Sequence, residues 1–113
     1  MTTLRVSETG SGAVSLTYTA PTGATFDLNG VTIRFSAAPT TPQNLTVVLD
    51  SALGAAYDVT LYSVDPSVTA ATTILWQPAA SLYLRPGDAV TLSYTNTDAR
   101  TWGATITGRI GGG

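Results

Sequence analysis

The chain has 113 residues and a formal net charge of −2, and it contains no histidine, no cysteine and no lysine. That composition removes the usual proton shuttle near neutral pH, most activated nucleophiles other than serine, and the usual side chains that hold transition metals. Only 11 % of residues are charged, against about 25 % in ordinary soluble domains, and about a fifth are threonine, which predicts a neutral, hydroxyl-rich surface that associates with copies of itself or with a larger body.

Met1-Thr2-Thr3-Leu4-Arg5 leads directly into a strand pattern with no apolar signal-peptide core, which predicts synthesis in the cytoplasm without Sec-type export. Val14, Leu16 and Tyr18 alternate with Ser15, Thr17 and Thr19, the period-two signature of a strand with one face in a core and one in water, and Ala20-Pro21-Thr22-Gly23 ends it. Between Phe26 and Phe35 the apolar positions are 26 and 28, then 31, 33 and 35, so the phase slips by one residue at Asn29-Gly30. Either a two-residue type I′ hairpin or a β-bulge absorbs that slip. A three-residue strand is short for the hairpin, which favours the bulge.

After Ala38-Pro39-Thr40-Thr41-Pro42, the alternating Leu45, Val47 and Leu49 are followed by a small-residue turn at Ser51-Ala52-Leu53-Gly54 and by Tyr57, Val59 and Leu61. The two runs read as an antiparallel hairpin with a longer loop. Asp65-Pro66 starts the next turn. Ile74-Leu75-Trp76 is a short apolar run without alternation, and Leu82 and Leu84 flank Tyr83 ahead of Arg85-Pro86-Gly87-Asp88, where Pro-Gly suits the centre of a type II turn. Val90, Leu92 and Tyr94 form another alternating strand, and beyond Asn96-Thr97-Asp98 the last strand carries Trp102, Ala104, Ile106 and Ile110 on one face.

Eight or nine strands spaced by turns, with no helical periodicity, predict an all-β chain: an antiparallel β-sandwich, first as a jelly roll and second as an immunoglobulin-like arrangement. The whole chain, 1–113, is expected to be one domain with a short N-terminal arm and a flexible Gly-rich tail at 111–113. No apolar run approaches the roughly 18 residues of a membrane helix.

Candidate functional residues follow from parity. Asp50, Asp65, Asp88 and Asp98 sit at strand ends beside turn residues, where a carboxylate caps turn amides. With no G-x-S-x-G elbow and no histidine to serve as base, a hydrolase triad in its usual form is excluded. Tyr62 shares a face with Asp58 and Thr60, and Tyr83 lies opposite Leu82 and Leu84, so both are expected to point outward. Trp102 is expected in the core, and parity does not assign Trp76. Tyr62, Tyr83 and Trp76, with the outward-facing Arg34 and Arg109, are the candidate interface residues, set against ordinary cross-strand pairing and solvated arginines. The five arginines are scattered singly and outnumbered by seven acids, so nucleic acid is not an expected partner.

Residues 32–110 resemble small β-sandwich virion proteins of tailed bacteriophages. The likeness lies in Val31-Thr32-Ile33-Arg34-Phe35-Ser36-Ala37-Ala38-Pro39-Thr40, in the stretch Asn44 to Val64, and in Pro86-Gly87-Asp88 to Trp102-Gly103. The resemblance implies a capsid decoration or cement subunit, or a tail component, that binds the particle and has no active site. The functional expectation is a non-enzymatic virion structural subunit that binds the capsid or another virion part and forms homo-oligomers, with no cofactor and no membrane or nucleic-acid partner. The alternative is a carbohydrate-binding or adhesion module stacking sugars on Trp76, Tyr62 or Tyr83. An enzyme working with carboxylates alone stands third.

Overall fold

A computed structural model describes residues 2–70, 72–80 and 82–112. Nine strands follow in chain order: β1 (Thr2–Gly10), β2 (Val14–Thr19), β3 (Ala24–Phe35), β4 (Leu45–Asp50), β5 (Val59–Val64), β6 (Thr73–Trp76), β7 (Leu82–Leu84), β8 (Ala89–Tyr94) and β9 (Trp102–Gly112). Two short helical turns interrupt them, a 3-10 turn at Ala55–Tyr57 and the one-turn α1 at Pro66–Thr69. All strand pairs are antiparallel.

One sheet has the order β1-β9-β3-β6, with β7 also on β3, and the other has the order β2-β8-β4-β5. β6 pairs with Val31 to Arg34 and β7 with Phe26 to Leu28, so the two act as one broken strand along the same edge of β3. Counted that way, the first half of the chain pairs with the second half: β1 with β9, β2 with β8, β3 with β6/β7 and β4 with β5. Successive rungs of this long hairpin alternate between the two sheets, and the second contacts β9–β3 and β8–β4 roll it into a barrel-like sandwich. That is the eight-stranded jelly roll. The immunoglobulin-like alternative is corrected, because that fold keeps its first two strands in one sheet whereas β1 and β2 lie in different ones.

The phase slip at Asn29-Gly30 is a bulge. β3 runs unbroken from Ala24 to Phe35, and its register against β9 shifts between Leu28, opposite Gly108, and Gly30, opposite Thr107. The extra residue keeps Phe26 and Leu28 in the core on one side of the slip, and Val31, Ile33 and Phe35 on the other. The β6/β7 break falls opposite the bulge, where a single straight neighbour has no continuous partner to follow.

Phe26, Phe35, Leu28, Ile33, Leu45, Leu84, Leu92 and Ile106 are the largest fully buried side chains and fill the space between the sheets. The Phe35 and Tyr94 rings meet edge to face at 5.4 Å, and Tyr18 lies 4.7 Å from Phe26 across the core. Phe26 also covers Gly108: a Cβ placed on that glycine would stand 2.2 Å from the Phe26 ring and 2.5 Å from the Asp27 carbonyl. Backbone and aromatic ring meet there because no side chain intervenes.

At one end of the sandwich the buried Asn96 ties three segments together. Its side-chain amide donates to the carbonyls of Ser11, Gly12 and Arg100, its oxygen accepts from the Arg100 amide, and its backbone takes a left-handed φ of 56°. At the other end Pro86-Gly87 forms the expected turn, with Gly87 at φ 90° and the Asp88 amide donating to Arg85 O at 2.9 Å. Two expectations about the chain ends are corrected. The N-terminal segment is a full nine-residue strand and not an arm, and Gly111 and Gly112 extend β9 opposite Thr25 and Ala24, since ladder hydrogen bonds need no side chains. Gly113 lies outside the described residues.

Gly108→Ala is expected to cost about 1–3 kcal/mol or more, because neither the Phe26 ring nor the β3 backbone has room to withdraw. Gly103→Ala, which meets nothing within 4 Å, is expected within about 0.5 kcal/mol of the parent. Chemical denaturation of both variants checks the pair, and equal effects would contradict the close packing at Gly108.

Candidate docking surfaces

The outward side of the first sheet is arranged in rows set by the register. Thr3, Arg109, Asp27 and Tyr83 are successive neighbours across β1, β9, β3 and β7. A parallel row holds Ser7, Thr105, Thr32 and Leu75, and another holds Thr9, Gly103, Arg34 and Thr73. Arg5 stands opposite Thr107 between the first two. Rows on one face repeat every two residues, about 7 Å apart, so Arg34 and Arg109 lie about 20 Å from each other along the strands.

Arg5, Arg34, Arg109, Tyr83 and Leu75 are exposed, Tyr83 by 62 % and Leu75 by 60 %. Three arginines against Asp27 give this face a formal charge of +2, while the remaining two arginines and six acids give the rest of the chain −4. Arginines that look scattered in sequence are therefore gathered on one sheet. A depression of about 290 Å³, lined by Asp27, Leu28, Asn29, Pro78 and Ala80, opens where the bulge and the β6/β7 break coincide beside Tyr83.

The outward side of the second sheet differs in kind. Ser15, Ser93, Thr46 and Ser63 make one row, and Thr17, Thr91, Val48 and Thr60 the next, with Asp50 at the margin beyond. The Thr17 and Thr91 hydroxyls are 3.0 Å apart, as are those of Ser7 and Thr105 on the first sheet. Asn44, Thr46, Ser93 and Thr95 line an open depression of about 390 Å³ at one end of this sheet.

Of the five candidate interface residues, Arg34, Arg109 and Tyr83 share the first sheet's outer face. Tyr62 and Trp76 do not. Tyr62 is half-buried and stacks on Trp76, with centroids 6.2 Å apart and planes 24° from parallel, so the pair joins β5 of one sheet to β6 of the other and closes that flank of the sandwich. The outward placement of Tyr62 is thus corrected. The β4–β5 register shifts after Val47, which faces Tyr62, to Val48, which faces Thr60, leaving Leu61 as the inserted residue and turning Tyr62 inward. The adjacent apolar pair Leu61-Tyr62, following Val59, is the sequence trace of this second slip. Tyr57, expected in the same strand, lies in the 3-10 turn and is 60 % exposed.

The acids work as turn caps at three of the four positions singled out. Asp65 caps α1 by accepting from the Ser67 amide and hydroxyl, and Asp88 accepts from the amides of Ala52 and Arg85. Asp98 accepts from the Thr41 hydroxyl at 2.5 Å and from the Thr40 and Thr41 amides at 2.6 and 3.0 Å. These bonds, the Thr41 hydroxyl foremost, hold the Asp98 carboxyl far below the ordinary carboxylate range, and the Ser67 hydroxyl does the same more weakly for Asp65. Among the described residues no three His, Cys, Asp or Glu side chains gather as a metal cage, and no helix is long and apolar enough to cross a membrane. The chain matches no protein-family model and no curated protein sequence.

A carboxyl whose pKa is depressed by folding stabilises the fold above its unfolded pKa, and that contribution is lost as pH falls through the folded value. Asp98→Asn is therefore expected to lower the denaturation midpoint at pH 7, with the gap to the parent narrowing as the pH drops below about 4. Denaturation curves at pH 7, 4 and 2 test it, and a gap independent of pH would show that the Asp98 charge does not anchor the 40–41 loop.

Proposed function

We propose that this protein is a non-enzymatic structural subunit of a phage-like virion, docking on the capsid or another virion part through the arginine-bearing face of its first sheet. The observation that carries the reading is the concentration of Arg5, Arg34 and Arg109 with exposed Tyr83 and Leu75 on one sheet of an otherwise acidic chain. A hydroxyl-covered face with three arginines, one exposed aromatic ring and one exposed leucine suits a broad protein contact, in which aromatic and arginine side chains carry most of the affinity. Repetition of the contact at many positions on a particle turns modest individual affinity into stable retention. The jelly roll itself is neutral support, since virion, lectin and enzyme domains all use it. The resemblance of residues 32–110 to small phage virion proteins points the same way.

The carbohydrate-binding alternative draws less from the geometry. Two of its three candidate rings, Tyr62 and Trp76, stack on each other, and the one ring lining the depression at Thr46 and Ser93, Tyr94, is buried against Phe35 and presents no stacking platform. Tyr83 alone presents an exposed ring from that set.

Co-expression with a candidate phage capsid protein, followed by pelleting of particles, tests the docking reading. The parent chain is expected to co-pellet, and the double variant Arg34→Glu/Arg109→Glu to lose at least about tenfold in occupancy, with the loss of two favourable charge contacts and the gain of two repulsive ones. Parent chain left in the supernatant at stoichiometric excess would sink the proposal.

A further inference from the structure

The free edge of β1 is the exposed element that the sandwich leaves least protected. β2 and β5 are six-residue edges, β5 carries a register irregularity, and the β6/β7 edge is broken into pieces of four and three residues. Short length, bulges and breaks are the usual means by which sheet edges avoid pairing with other chains. β1 has none of them. It is nine residues long, pairs with β9 in unbroken register from Thr2 opposite Ile110 to Gly10 opposite Trp102, and contains no proline. Leu4 and Val6 on its inward side are only partly buried against the core.

We infer that β1 pairs antiparallel with β1 of a second copy of this chain about a two-fold axis through Val6, joining the first sheets of the two copies into one. The inference gives a surface to the self-association expected from the low charge of the chain, and it is separate from the docking proposal. The strand's own residues select the register. A two-fold axis perpendicular to the sheet keeps each face on its own side, so only residues of equal parity stand opposite each other. With Val6 facing Val6 of the second copy, the strand pairs over its full length from Thr2 to Gly10, Arg5 faces Ser7 and Thr3 faces Thr9. Registers centred on Arg5 or on Glu8 oppose like charges, and those centred on Leu4 or Ser7 shorten the pairing to Thr2–Val6 and Leu4–Gly10, so only the Val6 register uses the whole strand. The central register also brings the partly exposed Val6 side chains together on the inward side, where they extend the core.

The absence of native cysteine makes a crosslinking test clean. Val6→Cys under mild oxidation is expected to give a disulfide-linked dimer, because facing residues on paired strands lie within disulfide reach, and Thr3→Cys is expected to stay uncrosslinked because its counterpart is several residues away. Sedimentation of two exposed charge variants gives a second readout that leaves the core untouched. Ser7→Arg, which sets two arginine pairs face to face, is expected to weaken dimerisation about tenfold, and Ser7→Glu, facing Arg5, to strengthen it. A parent chain that stays monomeric at high concentration would overturn the inference, as would an oligomer indifferent to both Ser7 variants. Particle binding without dimerisation would sink the inference and leave the docking proposal standing, and a dimer that binds no particle would do the reverse.

Discussion

The β3–β9 ladder and the single inserted residue Asn29 decide where everything else in the first sheet points. β3 is the longest strand and touches β9 on one side and both β6 and β7 on the other. Because side chains alternate strictly along a strand, one extra residue exchanges the inward and outward sets beyond it. Without Asn29, either Phe26 and Leu28 or Val31, Ile33 and Phe35 would face water. With it, both groups reach the core, and Asp27, Thr32 and Arg34 all reach the outer face. The arginine-bearing face therefore owes its arrangement to a packing requirement on its reverse side.

Gly108 shows the same coupling in a smaller space. It stands opposite Leu28 at the start of the slip, and the Phe26 ring lies where its side chain would be. The ring fills the core beside the bulge, and a depression lined by Asp27, Leu28 and Asn29 opens where the bulge lies. Loop anchoring is separate from this. Asn96, Asp65 and Asp98 fix one end through hydrogen bonds to backbone amides and carbonyls, and Asp88 fixes the other. Asp65, Asp88 and Asp98 thus serve the ends of the sandwich while Arg5, Arg34 and Arg109 outnumber Asp27 on its first face, which gives an acidic molecule one cationic side.

Much of the fold was legible because threonine and serine mark the wet positions so regularly. Val14 to Thr19, Leu45 to Asp50 and Val90 to Tyr94 alternate cleanly, and the structure returns those strands with the expected faces. The slip at Asn29-Gly30 was visible for the same reason, since apolar residues change parity across a turn-forming pair. The slip at Leu61 left only the adjacent pair Leu61-Tyr62 as a trace, with no glycine or asparagine to mark it, and it carried Tyr62 from the expected outer face into a stack with Trp76. Arg34, Arg109 and Tyr83 were placed outward correctly. Their gathering on one sheet, and the part of Arg5 in it, depends on which strands become neighbours through the jelly-roll wrap, and parity within single strands does not encode that.

Deletion of Asn29 tests the central constraint most directly. If the bulge sets the facing of β3, the shortened chain must expose one half of the β3 core residues, and it is expected to lose its cooperative unfolding transition, measured by denaturant titration with tryptophan fluorescence. A deletion variant that unfolds cooperatively at the parent midpoint would contradict the account.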